Sequence, residues 1–174
     1  MEFIKNNIGY IPADRNAVGT VPNFMLYENW LLRNSNGPVK KGFIDTKKLM
    51  TQSISAIHEY DVRTTGPLER SANLSGGNLQ KFILARELKN KPAVLICSYP
   101  TRGLDVKAAY FVRKQITEAK KKSTSTILFS GDMEELFSIS DRIVVLNRGK
   151  VVGEKRPEET TQEDIILMMM GEKA

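Results

Sequence analysis

Apolar residues fall into short continuous runs and helix-spaced sets along this 174-residue chain. The short runs predict β-strands at 8–11, 94–97, 127–129 and 143–146, and the last of these turns at 147–150 into Val151 and Val152. Because 94–97 and 127–129 are continuous rather than alternating, we expect both strands to be buried on both faces. Strands separated by helical segments predict an α/β fold around a parallel sheet.

Other segments carry apolar residues at the spacing of an amphipathic helix. In chain order the periodic positions are Met50, Ile54 and Ile57; Leu79, Phe82 and Ile83; Ala109, Val112, Ile116 and Ala119; and Ile166, Met169 and Met170. We expect Met168, Met169 and Met170 to be packing residues of the last helix.

Helix starts and one loop are also predicted. Residues suited to N-capping stand before the periodic runs at Asp45, Asp105, Asp132 and Thr161. Asp132 and Thr161 have an acidic residue three positions on, which predicts capping boxes with Glu135 and Asp164. The polar segment 34–42, which contains glycine and proline, predicts an exposed loop.

Composition indicates a single globular domain and excludes several classes of site. Hydrophobic residues make up 41% of the chain, and no apolar run approaches the roughly 20 residues that cross a bilayer. The first seven residues lack a signal-peptide core, so we expect no export signal. With Cys97 and His58 as the chain's one cysteine and one histidine, we expect no disulfide and no zinc site. Cys97 is expected to be a small buried hydrophobe, and His58 to be exposed or to lie at a helix C-terminus.

The formal net charge of +6 permits an acidic partner such as nucleic acid or a membrane surface. The 26 lysines and arginines are nevertheless spread along the chain, without interleaved aromatic residues. This distribution favours solvated helix faces, and we expect no nucleic-acid partner and no direct membrane insertion.

The segment LSGGNLQ at 74–80 carries the strongest indication of function. A serine and two glycines at the start of an amphipathic helix expose backbone N–H groups beside a hydroxyl, at the positive end of the helix dipole. Such a helix start can bind an anion, although a simple N-capped helix with a glycine turn is the alternative. The pattern should occur by chance about once in several thousand chains of average composition, which favours the anion site.

This segment resembles the signature motif of ABC ATPases, the ATP-binding cassettes of ABC transporters. VLIC at 94–97 with PTRGLD at 100–105 resembles the Walker B strand and D-loop of that family, and ILFSGD at 127–132 resembles its switch strand. GYIPADR at 9–15 is similar to the Q-loop region in the second cassette of sugar and nucleoside importer ATPases. The matching segments occur in the family's order and cover nearly the whole chain.

The resemblance implies a partial P-loop NTPase fold, with parallel strands and an α-helical subdomain at about 23–88 that carries the signature motif. A core with the Walker B, D-loop and switch segments is expected at about 89–174. The sequence contains no Walker A pattern G-x-x-x-x-G-K-S/T, because its pair Gly149 and Lys150 lacks the other required residues. We therefore expect residues 1–174 to be the C-terminal portion of one cassette, lacking the Walker A portion.

The positions that carry catalysis in the family depart from its pattern here. Ser98 and Tyr99 stand where Walker B has Asp and Glu, Gly131 replaces the switch histidine, and Ala13 replaces the Q-loop Gln or Glu. Phosphoryl transfer depends on a metal-binding carboxylate and a positioned water, which serine, tyrosine and glycine do not replace. We expect no metal site, a catalytically degenerate site, and no ATP hydrolysis by this chain alone.

In the family, each ATP lies between the Walker A motif of one cassette and the signature of another. The resemblance thus implies that Ser75, Gly76, Gly77, Asn78, Gln80 and Asp105 serve ATP bound by a partner cassette. ATP and Mg²⁺ would be cofactors of the assembled protein and would not bind tightly to this chain alone. Its other partners would be transmembrane permease subunits, which implies a peripheral location on the cytoplasmic face of the cell membrane.

Two other functions remain open at this point. The chain could be a non-hydrolysing interaction module that docks to a complete cassette or a membrane subunit, and the presence or absence of an upstream Walker A in its gene would decide. It could also belong to a nucleic-acid-associated ABC ATPase, which predicts a basic linker or coiled-coil insertion that the sequence does not contain.

Overall fold

The computed structural model describes residues 6–33, 39–40 and 43–171. Its strands are β1 Ile8–Ile11, β2 Val39–Lys40, β3 Phe43–Ile44, β4 Val94–Ser98, β5 Ser125–Phe129, β6 Ile143–Asn147 and β7 Lys150–Lys155. Its α-helices are α1 Leu26–Leu31, α2 Thr46–Glu59, α3 Gly76–Leu88, α4 Val106–Lys121, α5 Met133–Ile139 and α6 Gln162–Met170. The chain divides after Phe129 into two compact units.

The first unit contains a three-stranded parallel sheet in the order β1-β4-β5. Tyr10 lies opposite Ile96, and Ile96 lies opposite Ile127. The predicted α/β fold with parallel strands is therefore confirmed. Of the predicted loop at 34–42, Val39–Lys40 forms β2, which pairs antiparallel with β3, and the remainder lies outside the described residues.

Burial on both faces was predicted for β4 and β5 and is wrong for β5, which is an edge strand of the described sheet. Leu95 and Cys97 are fully buried, as expected for Cys97, whereas Ile127 and Phe129 are 50% and 46% exposed. Side chains alternate between the two faces of a strand, and the described part of this unit covers only the face with Leu95 and Cys97. A continuous apolar run reports hydrophobicity on both faces, but it does not report which of them is covered.

The helices of the first unit enclose a core of their own. Trp30 from α1 and Phe82 from α3 lie with ring centroids 6.1 Å apart, and both are fully buried. The other buried members of this cluster are Leu26, Leu49, Ala56, Ile57, Val62 and Ala85. The predicted helix α2 is present, but its buried stripe runs through Leu49, Ser53, Ala56 and Ile57, and Ile54 is exposed. His58 is exposed in the last turn of α2, as expected.

All the predicted N-caps form, but one predicted capping box does not. Asp45, Asp105, Asp132 and Thr161 each accept a backbone N–H from the residue three positions on. Thr161 and Asp164 form the full box. At Asp132 the backbone N–H instead donates to the Ser130 hydroxyl at 3.1 Å, and that hydroxyl donates to the Glu135 carboxylate at 2.7 Å. The Ser130 hydroxyl therefore accepts the Asp132 N–H, which the Glu135 carboxylate would accept in a capping box.

The second unit pairs β6 with β7 as an antiparallel hairpin, packed on α6. Its core contains Ile143, Val145, Ile165 and Met168. The predicted face of the last helix is wrong, because Ile166, Met169 and Met170 are exposed while Ile165 and Met168 are buried. Of the three methionines expected to pack, Met168 alone is in the core, since it faces the hairpin. Within the described ranges, no helix has the length and apolarity needed to cross a bilayer.

Candidate functional site

The predicted anion-binding helix start is the N-terminus of α3. Ser75 is the N-cap, and Ser75 and Gly76 are exposed. The Ser75 hydroxyl oxygen accepts a hydrogen bond from the Asn78 side-chain amide at 2.9 Å and a longer one from the Asn78 backbone N–H at 3.5 Å. First-turn N–H groups have no partner within their helix, so they are available to a ligand. We refer to Ser75, Gly76 and Gly77 together as the signature cradle.

Asp105 lies beside the signature cradle. A Cβ placed at Gly77 would lie 3.2 Å from the Cβ of Ala108 and 4.0 Å from Oδ2 of Asp105. Asp105 is the exposed N-cap of α4, and its Oδ1 accepts the Ala108 N–H at 2.8 Å. The structure therefore brings together the starts of α3 and α4. Ser75 and Gly76, which are exposed, lie at the first of these helix starts, and Asp105 lies at the second.

The remaining residues of the signature segment are held by other parts of the chain. The Asn78 Oδ1 accepts the backbone N–H of Arg63 at 2.9 Å. Gln80 is fully buried, and its side-chain amide donates to the carbonyl oxygen of Pro100 at 2.7 Å. Asn78 therefore orients the Ser75 hydroxyl, and Gln80 anchors α3 to the segment that follows β4.

Arg15 is a part of this site that the sequence did not single out. Its Nε donates to Gln80 Oε1 at 2.9 Å, and its Nη2 donates to the carbonyl oxygen of Arg102. Its Nη1 lies 3.7 Å from where a Cβ of Gly76 would stand. Burial lowers the pKa of the Arg15 guanidinium, although arginine stays charged at neutral pH. The one sequence signal was its place in the segment that resembles a Q-loop.

Three of the four positions that depart from the family pattern, Ser98, Tyr99 and Ala13, lie at or just after the carboxyl ends of β4 and β1. Ser98 ends β4, and Tyr99 follows it in the left-handed region at φ 47°, with 43% of its surface exposed. The Tyr99 backbone N–H donates to the carbonyl oxygen of Phe129 at 2.8 Å. Ala13 is exposed shortly after β1. Magnesium prefers carboxylate ligands, so Ser98 and Tyr99 do not fit a magnesium ion.

Gly131 belongs to the second unit. It is exposed, and a Cβ at this position would meet nothing within 4 Å. Its neighbours Ser130 and Asp132 are engaged in the hydrogen bonds that begin α5. A larger side chain could therefore be accommodated at Gly131 without displacing its surroundings.

Comparison with known proteins shows which family this chain is related to. The chain is 36% identical over 172 residues to the nucleoside import ATP-binding protein NupA of Lactococcus lactis. It is 38% identical over 172 residues to the guanosine import ATP-binding protein NupO of Bacillus subtilis. The chain belongs to the ABC ATPase family. Each of these alignments covers 98% of this chain but 34% of the relative, so the chain spans about a third of their length. No protein-family model matches the chain.

Solved ABC ATPase cassettes share its fold. The dimeric structure of MJ0796, a bacterial ABC transporter cassette, matches with a TM-score of 0.73 at 18% identity, over 90% of this chain and 65% of that one. A dimeric post-hydrolysis state of MJ0796 bound to ADP and Pi matches with a TM-score of 0.70 at 19% identity, over 86% of this chain and 62% of that one. The predicted ABC ATPase fold is thereby confirmed.

Proposed function

We propose that this chain supplies the signature motif of an ABC ATPase to ATP bound by a partner cassette, and that its own site is catalytically degenerate. The observation that carries the proposal is the signature cradle, which is exposed at Ser75 and Gly76 and lies beside Asp105. The same chain has Ser98 and Tyr99 at its Walker B positions. The chain would be part of the ATP-binding subunit of a sugar or nucleoside importer. The names of NupA and NupO, a nucleoside and a guanosine import protein, support the nucleoside alternative.

The hydrogen bonds of Ser75 support its role as a donor. A hydroxyl has one proton and two acceptor lone pairs. Asn78 donates to the Ser75 oxygen from its side chain and its backbone, which leaves the hydroxyl proton to point towards an external acceptor. The amides of Gly76 and Gly77 at the positive end of α3 add donors for the same anion.

The two carboxylate oxygens of Asp105 have different roles in this proposal. Its Oδ1 caps α4, while its Oδ2 lies on the side of Gly77. An acceptor at this position can order donors or water presented by a partner cassette across the interface. Asn78 and Gln80 act through their contacts with Ser75 and the Pro100 carbonyl rather than as exposed groups.

ATP and Mg²⁺, when bound in the assembled protein, supply the phosphoryl group and the charge neutralisation for its transfer. This chain's residues would bind and orient the terminal phosphate, but Ser98 and Tyr99 provide no carboxylate for a second reaction. The proposed partners are therefore a complete cassette and transmembrane permease subunits, with the protein peripheral on the cytoplasmic face of the membrane. The same missing carboxylates favour a second candidate function, a non-hydrolysing module that docks to a cassette or membrane subunit.

Nucleotide binding by the chain, with and without a partner, tests the proposal. We expect titration of the 174-residue chain with Mg-ATP to show no micromolar affinity, because its sequence has no phosphate-cradling loop. Adding an ATP-loaded partner cassette should produce a complex that Gly77→Asp weakens. Micromolar binding of Mg-ATP by this chain alone would contradict the proposal. A complex equally strong with and without ATP would support the docking module instead.

A further inference from the structure

Arg15 joins two segments that carry the proposed ATP-contacting surface. It lies at the start of the π-helical turn Arg15–Gly19, shortly after β1. Its side chain bonds to Gln80, 65 residues away, and to the carbonyl of Arg102, 87 residues away. Gln80 itself bonds to the carbonyl of Pro100. One guanidinium and one amide thus tie α3 to residues 100–102, which lead into Asp105.

We infer that Arg15 is a positioning residue, which fixes the signature cradle relative to Asp105 so that both meet a partner's ATP in one geometry. The inference rests on the proposed function. Arg15 would act through Gln80 and the carbonyl of Arg102 and would not need to touch the nucleotide.

The Arg15 bridge adds a restraint that the packing of α3 on α4 does not supply. The starts of the two helices meet at Gly77 and Ala108, where a Cβ on the glycine would be 3.2 Å from the alanine. Further along, the Lys81 ammonium of α3 lies 4.8 Å from the centroid of the Phe111 ring of α4. Neither contact involves residues 100–102, which the Arg15 bridge ties to Gln80. Hydrogen bonds to fixed acceptors are directional, which makes this restraint more specific than apolar packing.

The backbone of Arg15 is itself held in place. The Asp14 carboxylate accepts the N–H groups of Asn16 and Ala17 at 3.0 and 2.8 Å, and the Thr20 hydroxyl donates to the Arg15 carbonyl at 3.0 Å. A Cβ on Gly19 would lie 2.7 Å from Cδ1 of Ile83, so the turn packs closely on α3. The guanidinium therefore extends from a fixed turn.

Lysine cannot replace arginine in this role. The two acceptors of Arg15 are reached by different nitrogens of one planar group, whereas lysine presents a single ammonium on a flexible stem. The charge near Gly76 would persist in Arg15→Lys, but the bridge between Gln80 and Arg102 would not. This variant therefore separates positioning from the electrostatic attraction of an anion.

The test measures steady-state ATP hydrolysis by the assembled ATPase that contains this chain. We expect Arg15→Lys to lower kcat about tenfold and to change KM for ATP less than twofold, because ATP is bound by the partner's phosphate loop and misplacement costs rate. Gln80→Met should give a similar loss, and the double variant no greater loss than either single change. Arg70→Lys, an exposed arginine of the same unit, is the matched control and should behave as wild type.

The outcomes separate this inference from the proposed function. Wild-type kcat in Arg15→Lys, or a raised KM at constant kcat, or additive effects with Gln80→Met, would each overturn the inference. Gly77→Asp is measured alongside them, and wild-type hydrolysis in that variant would contradict the proposed function. The melting temperature of Arg15→Lys should stay within a few degrees of wild type. If Gln80→Met fails to fold, the kcat and KM of Arg15→Lys decide the matter.

Discussion

Replacing Gly77 by aspartate introduces a carboxylate into the signature cradle. The Cβ of residue 77 would lie 4.0 Å from Oδ2 of Asp105 and 3.2 Å from the Cβ of Ala108. The new side chain therefore extends beside an existing carboxylate, at the place proposed for a terminal phosphate. Both its bulk and its charge oppose a phosphate there.

The cost to folding and the cost to activity differ in size. Two charges about 4 Å apart repel by about 1 kcal/mol in bulk water and by about 4 kcal/mol near a protein surface. Asp105 is exposed and residue 77 is half-buried, so the cost lies between these two values. A negative charge in the first helical turn returns about 0.3 to 1 kcal/mol through the helix dipole. The net cost is smaller than the free energy of unfolding of most domains, so the fold should survive. Losing one element that stabilises the reacting phosphate costs on the order of 3 kcal/mol, which is a hundredfold or more in rate.

The assay is steady-state ATP hydrolysis by the assembled transporter ATPase. Gly77→Asp should lose activity severely, while Tyr99→Ala and Gly131→Ala should keep near-normal turnover, because we propose that the site they border does not hydrolyse ATP. Circular dichroism and melting temperature check that Gly77→Asp is folded. Severe losses of similar size in Gly77→Asp and Tyr99→Ala would show that this cassette's own site hydrolyses ATP, and the asymmetric account would be refuted.

Three further outcomes are expected. The double change Ser98→Asp and Tyr99→Glu should not produce phosphate release above background from the 174-residue chain, because no phosphate-cradling loop positions a substrate. Burial, and then the charge of Glu59, raise the pKa of Tyr60 to about 12. The pKa of tyrosine in the unfolded chain is about 10. Between about pH 10 and 12 the unfolded chain therefore loses the Tyr60 proton while the folded protein keeps it, and the free energy of unfolding falls. Below about pH 10 this contribution to stability is complete. Because Tyr60 is only partly buried, solvent screening reduces this effect. In urea unfolding between pH 9 and 12, Tyr60→Phe should remove about 1 to 2 kcal/mol of the loss in unfolding free energy, and Glu59→Gln a smaller part. The same pH dependence of the unfolding free energy in the wild type and in both variants would contradict this cause. Gly19→Ala should cost about 1 to 3 kcal/mol of unfolding free energy, because its Cβ would lie 2.7 Å from Cδ1 of Ile83. Ile83→Val should relieve that cost, and no relief would show that the contact is not its cause.

The elements that depend on neighbouring residues could be predicted from the sequence. The N-caps at Asp105 and Thr161 depend on residues three positions away, and the structure contains both. The parallel sheet followed from apolar runs separated by helices. The start of α3 likewise depends on neighbouring residues, so the helix N-terminus at the signature cradle could be predicted from the local sequence.

The features that could not be predicted from the sequence depend on contacts between distant parts of the chain. The apolar run at 127–129 does not say that Ile127 and Phe129 lie on an uncovered face of the described sheet. The last helix has apolar residues on more than one side, and only the packing of β6 and β7 selects Ile165 and Met168 as buried. Arg15 acquires its partners from segments 65 and 87 residues away, which no local pattern encodes.

Hydrogen exchange at the amides of Gly76 and Gly77 tests the central claim most directly, because it reports whether these amides meet ATP in the assembled protein. In the assembled protein, added ATP should slow exchange at these amides as they donate to phosphate. Replacing the Walker A lysine of the partner cassette by alanine should abolish that protection, and Tyr99→Ala should leave it intact. Protection that survives loss of the partner's phosphate loop, or that Tyr99→Ala removes, would contradict ATP contact in trans.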